Sequence, residues 1–199
     1  MSKQMQCHGG QMGIFGCRFS LYPMDSDFVP IILGALEKTD TSAVWSASDA
    51  LSTVYRGGLD NVVDAVAALL LNAWREDCHM ALEGQFSEGC PGDVTADLPK
   101  SLDPSCPNRE SIGEIHFPVS CKLALYPMGT KDYMPLIMQV KDMAEEHGLR
   151  LNHIHYATRV DGDVQQVFSY LEAVCKLSRE HASHYALHFT ISMNSPTEE

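Results

Sequence analysis

The chain is written twice. Cys17-Arg18-Phe19-Ser20-Leu21-Tyr22-Pro23-Met24 lines up with Cys121-Lys122-Leu123-Ala124-Leu125-Tyr126-Pro127-Met128 at an offset of 104. After one inserted residue the offset becomes 105 and stays there. Asp27 then matches Asp132, Pro30 matches Pro135, Thr53 matches Thr158, Gly57 matches Gly162, and Val62 matches Val167. Near the end of each copy, His79, Ala81, Leu82 and Ser87 match His184, Ala186, Leu187 and Ser192. A constant register over such a length identifies a tandem duplication, and it decides the architecture. A chain of 199 residues permits one large domain or two smaller ones. The repeat settles it as two copies of one unit, at residues 14–87 and 118–193, joined by a Pro-rich linker at 88–117. Each unit is small enough to be marginal alone, so mutual packing and dimerisation are expected.

Both copies carry the same pattern of elements. Residues 17–22 alternate Cys, Phe and Leu with Arg, Ser and Tyr, a strand period that Pro23 ends. Asp27 reads as a helix N-cap, with Pro30 tolerated in the first turn. Val44 to Tyr55 reads as two short strands with a turn near Ser48. Leu59, Val62, Val63, Val66, Leu69 and Leu70 recur at helical spacing, as do Val164, Val167, Phe168, Leu171, Val174 and Cys175. A last strand, His79 to Phe86, closes the unit. The order β-α-β-β-α-β is the split βαβ arrangement of ferredoxin-like folds, so the chain is expected to be α+β, with antiparallel sheets and helices on one face. The linker holds Pro91, Pro99, Pro104 and Pro107. Gly89 to Asp93 reads as an ordered turn, and Asn194 to Glu199 as frayed.

Composition narrows the function classes. With 14 basic against 26 acidic residues the formal charge is −12, which repels a phosphate backbone and excludes nucleic acid as the expected partner. The same field favours a small cationic ligand, weakly at physiological salt. No stretch has the continuous apolar length of a membrane span, and residues 1–14 show no apolar secretory core. A cytoplasmic protein is therefore expected. Its seven cysteines, none in C-x-x-C spacing, read as reduced thiols. Cys17, Cys121 and Cys175 sit in apolar patterns as small buried hydrophobes. Histidines occur only as pairs (His153 with His155, His184 with His188), short of the three or four ligands a metal site needs. No metal is expected, and none of the common nucleophile, phosphate-loop or dinucleotide motifs is present.

Strand parity proposes a ligand space. The first strand offers Cys17, Phe19 and Leu21 to the helix side, and Cys121, Leu123 and Leu125 in the second copy. The third strand offers Leu51, Thr53 and Tyr55, with Tyr156, Thr158 and Val160 as the equivalent set. A threonine thus recurs at the same interior position. Its hydroxyl either bonds a helix carbonyl or buried water, or anchors a ligand in an otherwise apolar pocket. Asp49 shares that parity, which places its carboxylate at the mouth of the same space unless it is a solvated turn residue; the second copy has Ile154 there. Trp45 and Tyr156 are flat rings that either stack on a ligand or belong to the core. His79 and His184 fall on the opposite parity and read as structural or intersubunit residues.

Several runs together resemble the YkoF family. They are Cys17 to Met24, Thr39 to Trp45, Ser52 to Gly57, Phe86 to Asp93, Ala124 to Met128, Asp132 to Met134 and Asn194 to Pro196. The likeness spans nearly the whole chain. It implies two ferredoxin-like, ACT-like repeats in a homodimer that binds thiamine or its hydroxymethylpyrimidine (HMP) precursor without catalysis. It also implies one pocket per repeat, no cofactor beyond that ligand, and a role in thiamine salvage or transport with a functional link to a thiamine-precursor transporter. Where the resemblance and the interior-face argument coincide, the candidate ligand-binding residues are Leu21, Asp49, Thr53, Cys121, Leu125, Tyr156 and Thr158. Two other readings stay open at this point: an ACT-like regulatory module sensing a different metabolite, and a dimeric ferredoxin-like enzyme, since fold alone does not fix function.

Overall fold

The alternation in the first repeat becomes β1 (Phe15–Pro23), in which Phe15, Cys17 and Phe19 are buried while Arg18 is exposed. This computed structural model describes residues 14–90, Asp97 and residues 105–197. After β1 come α1 (Phe28–Lys38), β2 (Trp45–Ser48), β3 (Thr53–Gly57), α2 (Leu59–Ala73) and β4 (Met80–Glu88). A short helix, α3 (Arg109–Ile112), precedes the second copy: β5 (Pro118–Met128), α4 (Met134–Glu146), β6 (Arg150–Ile154), β7 (Ala157–Asp163), α5 (Val164–His181) and β8 (His184–Met193). The fold is α+β, two βαββαβ units built on antiparallel strands. Asp163 starts α5 with a capping box: its side chain accepts from the Gln165 N–H, and the Gln166 side chain accepts from the Asp163 N–H. Asp27 caps α1 by position only, making no side-chain cap bond.

The two units share one eight-stranded sheet, in the order β2-β3-β1-β4-β8-β5-β7-β6. They join where β4 runs antiparallel to β8, from Met80 opposite Met193 to Glu88 opposite Tyr185. At the middle of that pairing Gly84 faces Phe189. These two residues are repeat equivalents, so the pair marks a pseudo-twofold axis through the sheet. The Phe189 ring stacks on Phe86 at 4.8 Å, and Phe86 stacks on Phe15 at 5.3 Å. A Cβ on Gly84 would lie 2.5 Å from Phe189 Cζ. The ring fits only because the opposite strand offers no side chain.

Helices cover one face. Helix α2 is buried along nearly its whole length because α1, α3 and α5 flank it and β1 and β3 lie beneath. The repeats fill their cores in opposite ways. Tyr55 on β3 corresponds to Val160 on β7, and Ala65 on α2 corresponds to Tyr170 on α5; all four are buried. The aromatic bulk comes from the strand in one copy and from the helix in the other. Tyr170 finds a partner, donating to the Val140 carbonyl at 2.8 Å. Tyr55 packs edge-on against Phe19 at 4.9 Å, and its buried hydroxyl has no hydrogen-bond partner among the described residues.

The described part of the linker packs against the first repeat. Asn108 is buried, and its backbone N–H and side-chain amide donate to the Asp64 carboxylate at 3.1 and 2.8 Å. The same side chain exchanges bonds with the Asp40 backbone, and Phe117 stacks on Trp74 at 4.9 Å. Asp64, which interrupts the longest apolar run of the sequence, is thus the anchor for the linker. The turn expected at residues 89–93 begins with Gly89 at positive φ, but Pro91 to Asp93 lie outside the described residues. Asn194 is not frayed as expected: its side chain donates to the Arg75 and Cys78 carbonyls at 2.6 and 3.0 Å. The last two residues lie outside the described residues.

Two expectations follow. Gly84→Ala should lower stability by about 1–3 kcal/mol, since overpacking at a fixed ring has that cost. Combined with Phe189→Leu it should lose less than the sum of the two single changes, as measured by urea unfolding; strict additivity would refute the clash. Asn108→Ala keeps the backbone N–H but removes the side-chain amide that donates to the Asp64 carboxylate and to the Asp40 carbonyl, and should cost about 1–3 kcal/mol, seen as a lower melting temperature; a melting temperature equal to the parent's would show that the linker contact carries no stability.

Candidate functional site

The register tests the parity argument directly. Thr53 stands opposite Phe19 and Tyr55 opposite Cys17 in the β1–β3 pairing. Thr158 stands opposite Leu123 and Val160 opposite Cys121 in the β5–β7 pairing. Opposed residues share a face, so both threonines lie on the helix side, and both are partly buried. Leu21 and Leu125 continue the same face one step further along their strands, each partly buried against the core. Cys121 lies deeper, fully buried. Leu21, Thr53, Cys121, Leu125 and Thr158 therefore fall where parity expects them.

Asp49, Tyr156 and Leu51 do not. Parity holds along a strand but is lost through a turn, and these residues sit in the hairpin tips between β2 and β3 and between β6 and β7. The Asp49 carboxylate accepts from the Leu51 and Ser52 N–H groups at 2.8 and 2.9 Å, an Asx-type turn. It also pairs with Arg18 at 2.9 Å, on the face of the sheet away from the helices. The Leu51 and Ser52 amides, and then Arg18, hold its carboxyl below the ordinary carboxylate value. Asp49 is thus not at the mouth of the helix-side space. Tyr156 is fully exposed, with φ at 66°, and Leu51 is 84% exposed. Trp45 is not core either: it is half-buried, opposite Arg56 on the open face.

Two features escaped sequence reading. Ser48 stands opposite Thr53 on the helix side, and their hydroxyls bond at 2.9 Å; the equivalent of Ser48 is His153, opposite Thr158. Parity applied to β2 would have found it, had its strand boundary been fixed. The second feature is the surface. Among the described residues, the exposed large apolar side chains of the first repeat are Tyr22, Met24, Phe28, Val29, Leu33 and Leu51. At the equivalent positions of the second stand Tyr126, Met128, Tyr133, Met134, Met138 and Tyr156, also exposed. The one left over is Ile154, the equivalent of Asp49. All belong to the C-terminal end of the first strand, the helix that follows it, or the adjoining hairpin tip. That tip is held to β1 by the Ser20 hydroxyl, which donates to the Leu51 carbonyl at 2.9 Å.

Scattered exposed apolar residues need no explanation, but a set repeated at equivalent positions of two copies does. Here the set occurs twice, at the same end of each repeat. Because β1, β4, β8 and β5 alternate in direction, the two ends lie at opposite edges of the sheet. Each therefore combines an apolar surface with a threonine hydroxyl on the helix-side face, the composition of a small-molecule site.

His79 and His184 lie on the open face next to these ends: the Met24 N–H donates to the His79 carbonyl at 2.9 Å, and His184 stands opposite Met128. His79 Nε2 lies 3.2 Å from the Ser192 hydroxyl, and His184 Nε2 lies 3.5 Å from that of Ser87. Each repeat's histidine meets the other repeat's serine, so these residues belong to the join between the copies.

Comparison with known proteins converges on one family. Residues 14–93 and 118–198 each match the YKOF-related family. A Bacillus subtilis (strain 168) protein named "Putative HMP/thiamine-binding protein YkoF" is 42% identical over 190 residues, covering 96% of this chain and 95% of that one.

The thiols beneath the two ends are set by burial. Desolvation pushes Cys121 up to about 12 and raises Cys17 and Cys175 well above the ordinary thiol value. The thiolate is the reactive form. Iodoacetamide in mildly alkaline buffer should therefore leave all three unmodified in the native protein and label them after unfolding in guanidinium chloride. Peptide mass mapping reads the result; native labelling of Cys121 would mean that this end of the second repeat opens to solvent.

Proposed function

The chain belongs to the YkoF-related family, and from that premise we propose that it binds thiamine or HMP without turnover, one molecule at each duplicated end. The observation that carries this reading is the pairing of exposed apolar residues across the repeats, each set beside an equivalent threonine. The aminopyrimidine would enter on the helix side, with Leu21 or Leu125 as apolar wall and the hairpin tips of Leu51 or Tyr156 as rim. Thr53 or Thr158 would read its polar edge. In the first repeat the buried Tyr55 hydroxyl, which has no partner among the described residues, is a second polar group that such a ligand would satisfy.

A neutral hydrogen bond contributes about 1 kcal/mol net, so affinity would rest mainly on burial, at about 25 cal/mol per Å² of apolar surface. The charge of −12 would favour cationic thiamine at low salt. The two ends are not chemically alike: Ser46, Ser48 and Asp49 in the first repeat correspond to Leu151, His153 and Ile154 in the second. The wider role, thiamine salvage or transport by a cytoplasmic homodimer, belongs to the same proposal. No described helix is long and apolar enough to cross a membrane.

Calorimetry with thiamine, HMP and the thiazole half tests the ligand. Saturable binding of thiamine or HMP is expected, and binding of none of the three refutes the function. Thr53→Val and Thr158→Val should each weaken one site roughly fivefold. If thiamine binds yet neither change moves its affinity, the site assignment falls while the function stands.

A further inference from the structure

The strand pairs beneath the two ends carry different chemistry at equivalent places. On the helix side of the first repeat, β2 and β3 set Ser46 opposite Tyr55 and Ser48 opposite Thr53. All four residues bear hydroxyls, and those of Ser48 and Thr53 bond to each other at 2.9 Å. In the second repeat β6 and β7 set Leu151 opposite Val160 and His153 opposite Thr158. Of the four hydroxyls only that of the threonine is kept, and an ionisable ring stands across from it. His153 is exposed and Thr158 is half-buried. Residues directly opposite on antiparallel strands have β-carbons about 5 Å apart, so a ligand seated on the Thr158 hydroxyl lies within reach of the imidazole.

Histidine is the side chain whose ordinary titration falls near physiological pH, whereas the serine at the equivalent place stays neutral. Strand β6 is an edge strand, packed against β7 and beneath α4. On the helix side β7 brings Thr158 and Val160; its charged residues, Arg159 and Asp161, lie on the open face, opposite Lys122 and Ser120. Helix α4 carries Lys141, half-buried, and Asp142, Glu145 and Glu146, exposed, with His147 at its C-cap. The hairpin tip adds His155 and Tyr156, both exposed. His79 and His184 occupy equivalent places on the open face, so neither distinguishes one end from the other. Whatever static potential these groups set, a proton taken by His153 adds one positive charge beside Thr158.

Resting on the binding reading above, we propose that His153 is a specificity-determining residue: the charge on its ring sets how the second end divides between cationic thiamine and neutral HMP. The first end, with Ser48 at that place, has no such control. Neutral imidazole offers a hydrogen-bond donor and an acceptor beside Thr158 and admits both ligands. The imidazolium repels the thiazolium ring of thiamine, and HMP has no such ring to repel. Repulsion between two unit charges in water-like surroundings amounts to about a fivefold change in affinity, less as salt is added.

The test is titration of the full-length protein with thiamine and with HMP, at about pH 8 and about pH 6, followed by amide shifts in two-dimensional NMR. The amides of Ala157 and Thr158 report the second end, and those of Ser52 and Thr53 the first. On going to the lower pH, the affinity for thiamine relative to HMP should fall about fivefold at the second end and stay level at the first. Each pH is compared with His153→Gln, so that titration of the ligands themselves cancels. That change should abolish the fall, and His153→Lys should hold the ratio low at both pH values. The proposal is overturned if the ratio at the second end is level in the parent, if its fall persists in His153→Gln, or if His153→Lys keeps the parent's ratio at the higher pH. Binding of neither ligand at either end would overturn the binding reading as well, whereas binding with a level ratio overturns this proposal alone.

Discussion

The antiparallel seam between β4 and β8 is the contact on which the rest of the molecule depends. Without it each repeat would present a long strand edge of unpaired N–H and C=O groups, a template for association with any other chain. The seam satisfies both edges at once and carries the sheet through to eight strands. It also joins the cores, since Phe15, Phe86 and Phe189 stack in succession from β1 through β4 to β8. Units too small to bury an adequate core alone become one body. The seam sets the placement of function as well. With β1 and β5 running in opposite directions, the two apolar ends are held apart and cannot merge into one pocket.

Much of this was legible in the sequence because the relevant physics is local and periodic. A fixed offset announces a duplication, a period of two announces strands, and the large apolar Tyr55 puts Thr53, two residues before it, on the helix side, with Thr158 following through the repeat. What failed was counting through a turn. Asp49, Leu51 and Tyr156 were carried forward on strand parity, but a hairpin tip rotates the backbone away from it, as the positive φ of Tyr156 records. The seam was illegible for another reason: it joins residues about a hundred positions apart, and nothing in either strand alone says that it meets the other. The exposed apolar pairs needed both kinds of information, the repeat from sequence and the exposure from packing.

The copies have diverged in ways that keep total volume while changing chemistry. Tyr55 with Ala65 and Val160 with Tyr170 place one large ring in each core from opposite layers. Cores tolerate such exchanges when volume is kept. The cost differs, because Tyr170 satisfies its hydroxyl while Tyr55 finds no partner among the described residues. The same freedom appears on the open face, where the second copy carries paired arginines and the first a tryptophan and a valine. Fusion in one chain permits this, since neither copy must remain compatible with an identical twin.

The glycine and phenylalanine at the centre of the seam make that last point concrete. On a true twofold axis a residue meets itself: two phenylalanines there would collide, and two glycines would leave a hole beside Phe86. Only the mixed pairing fills the space. The seam therefore discriminates between partners as well as holding them. A first half severed from its chain would recognise a second half in preference to another first half, so the junction encodes the order in which the halves assemble and guards the newly made chain against cross-pairing with its neighbours.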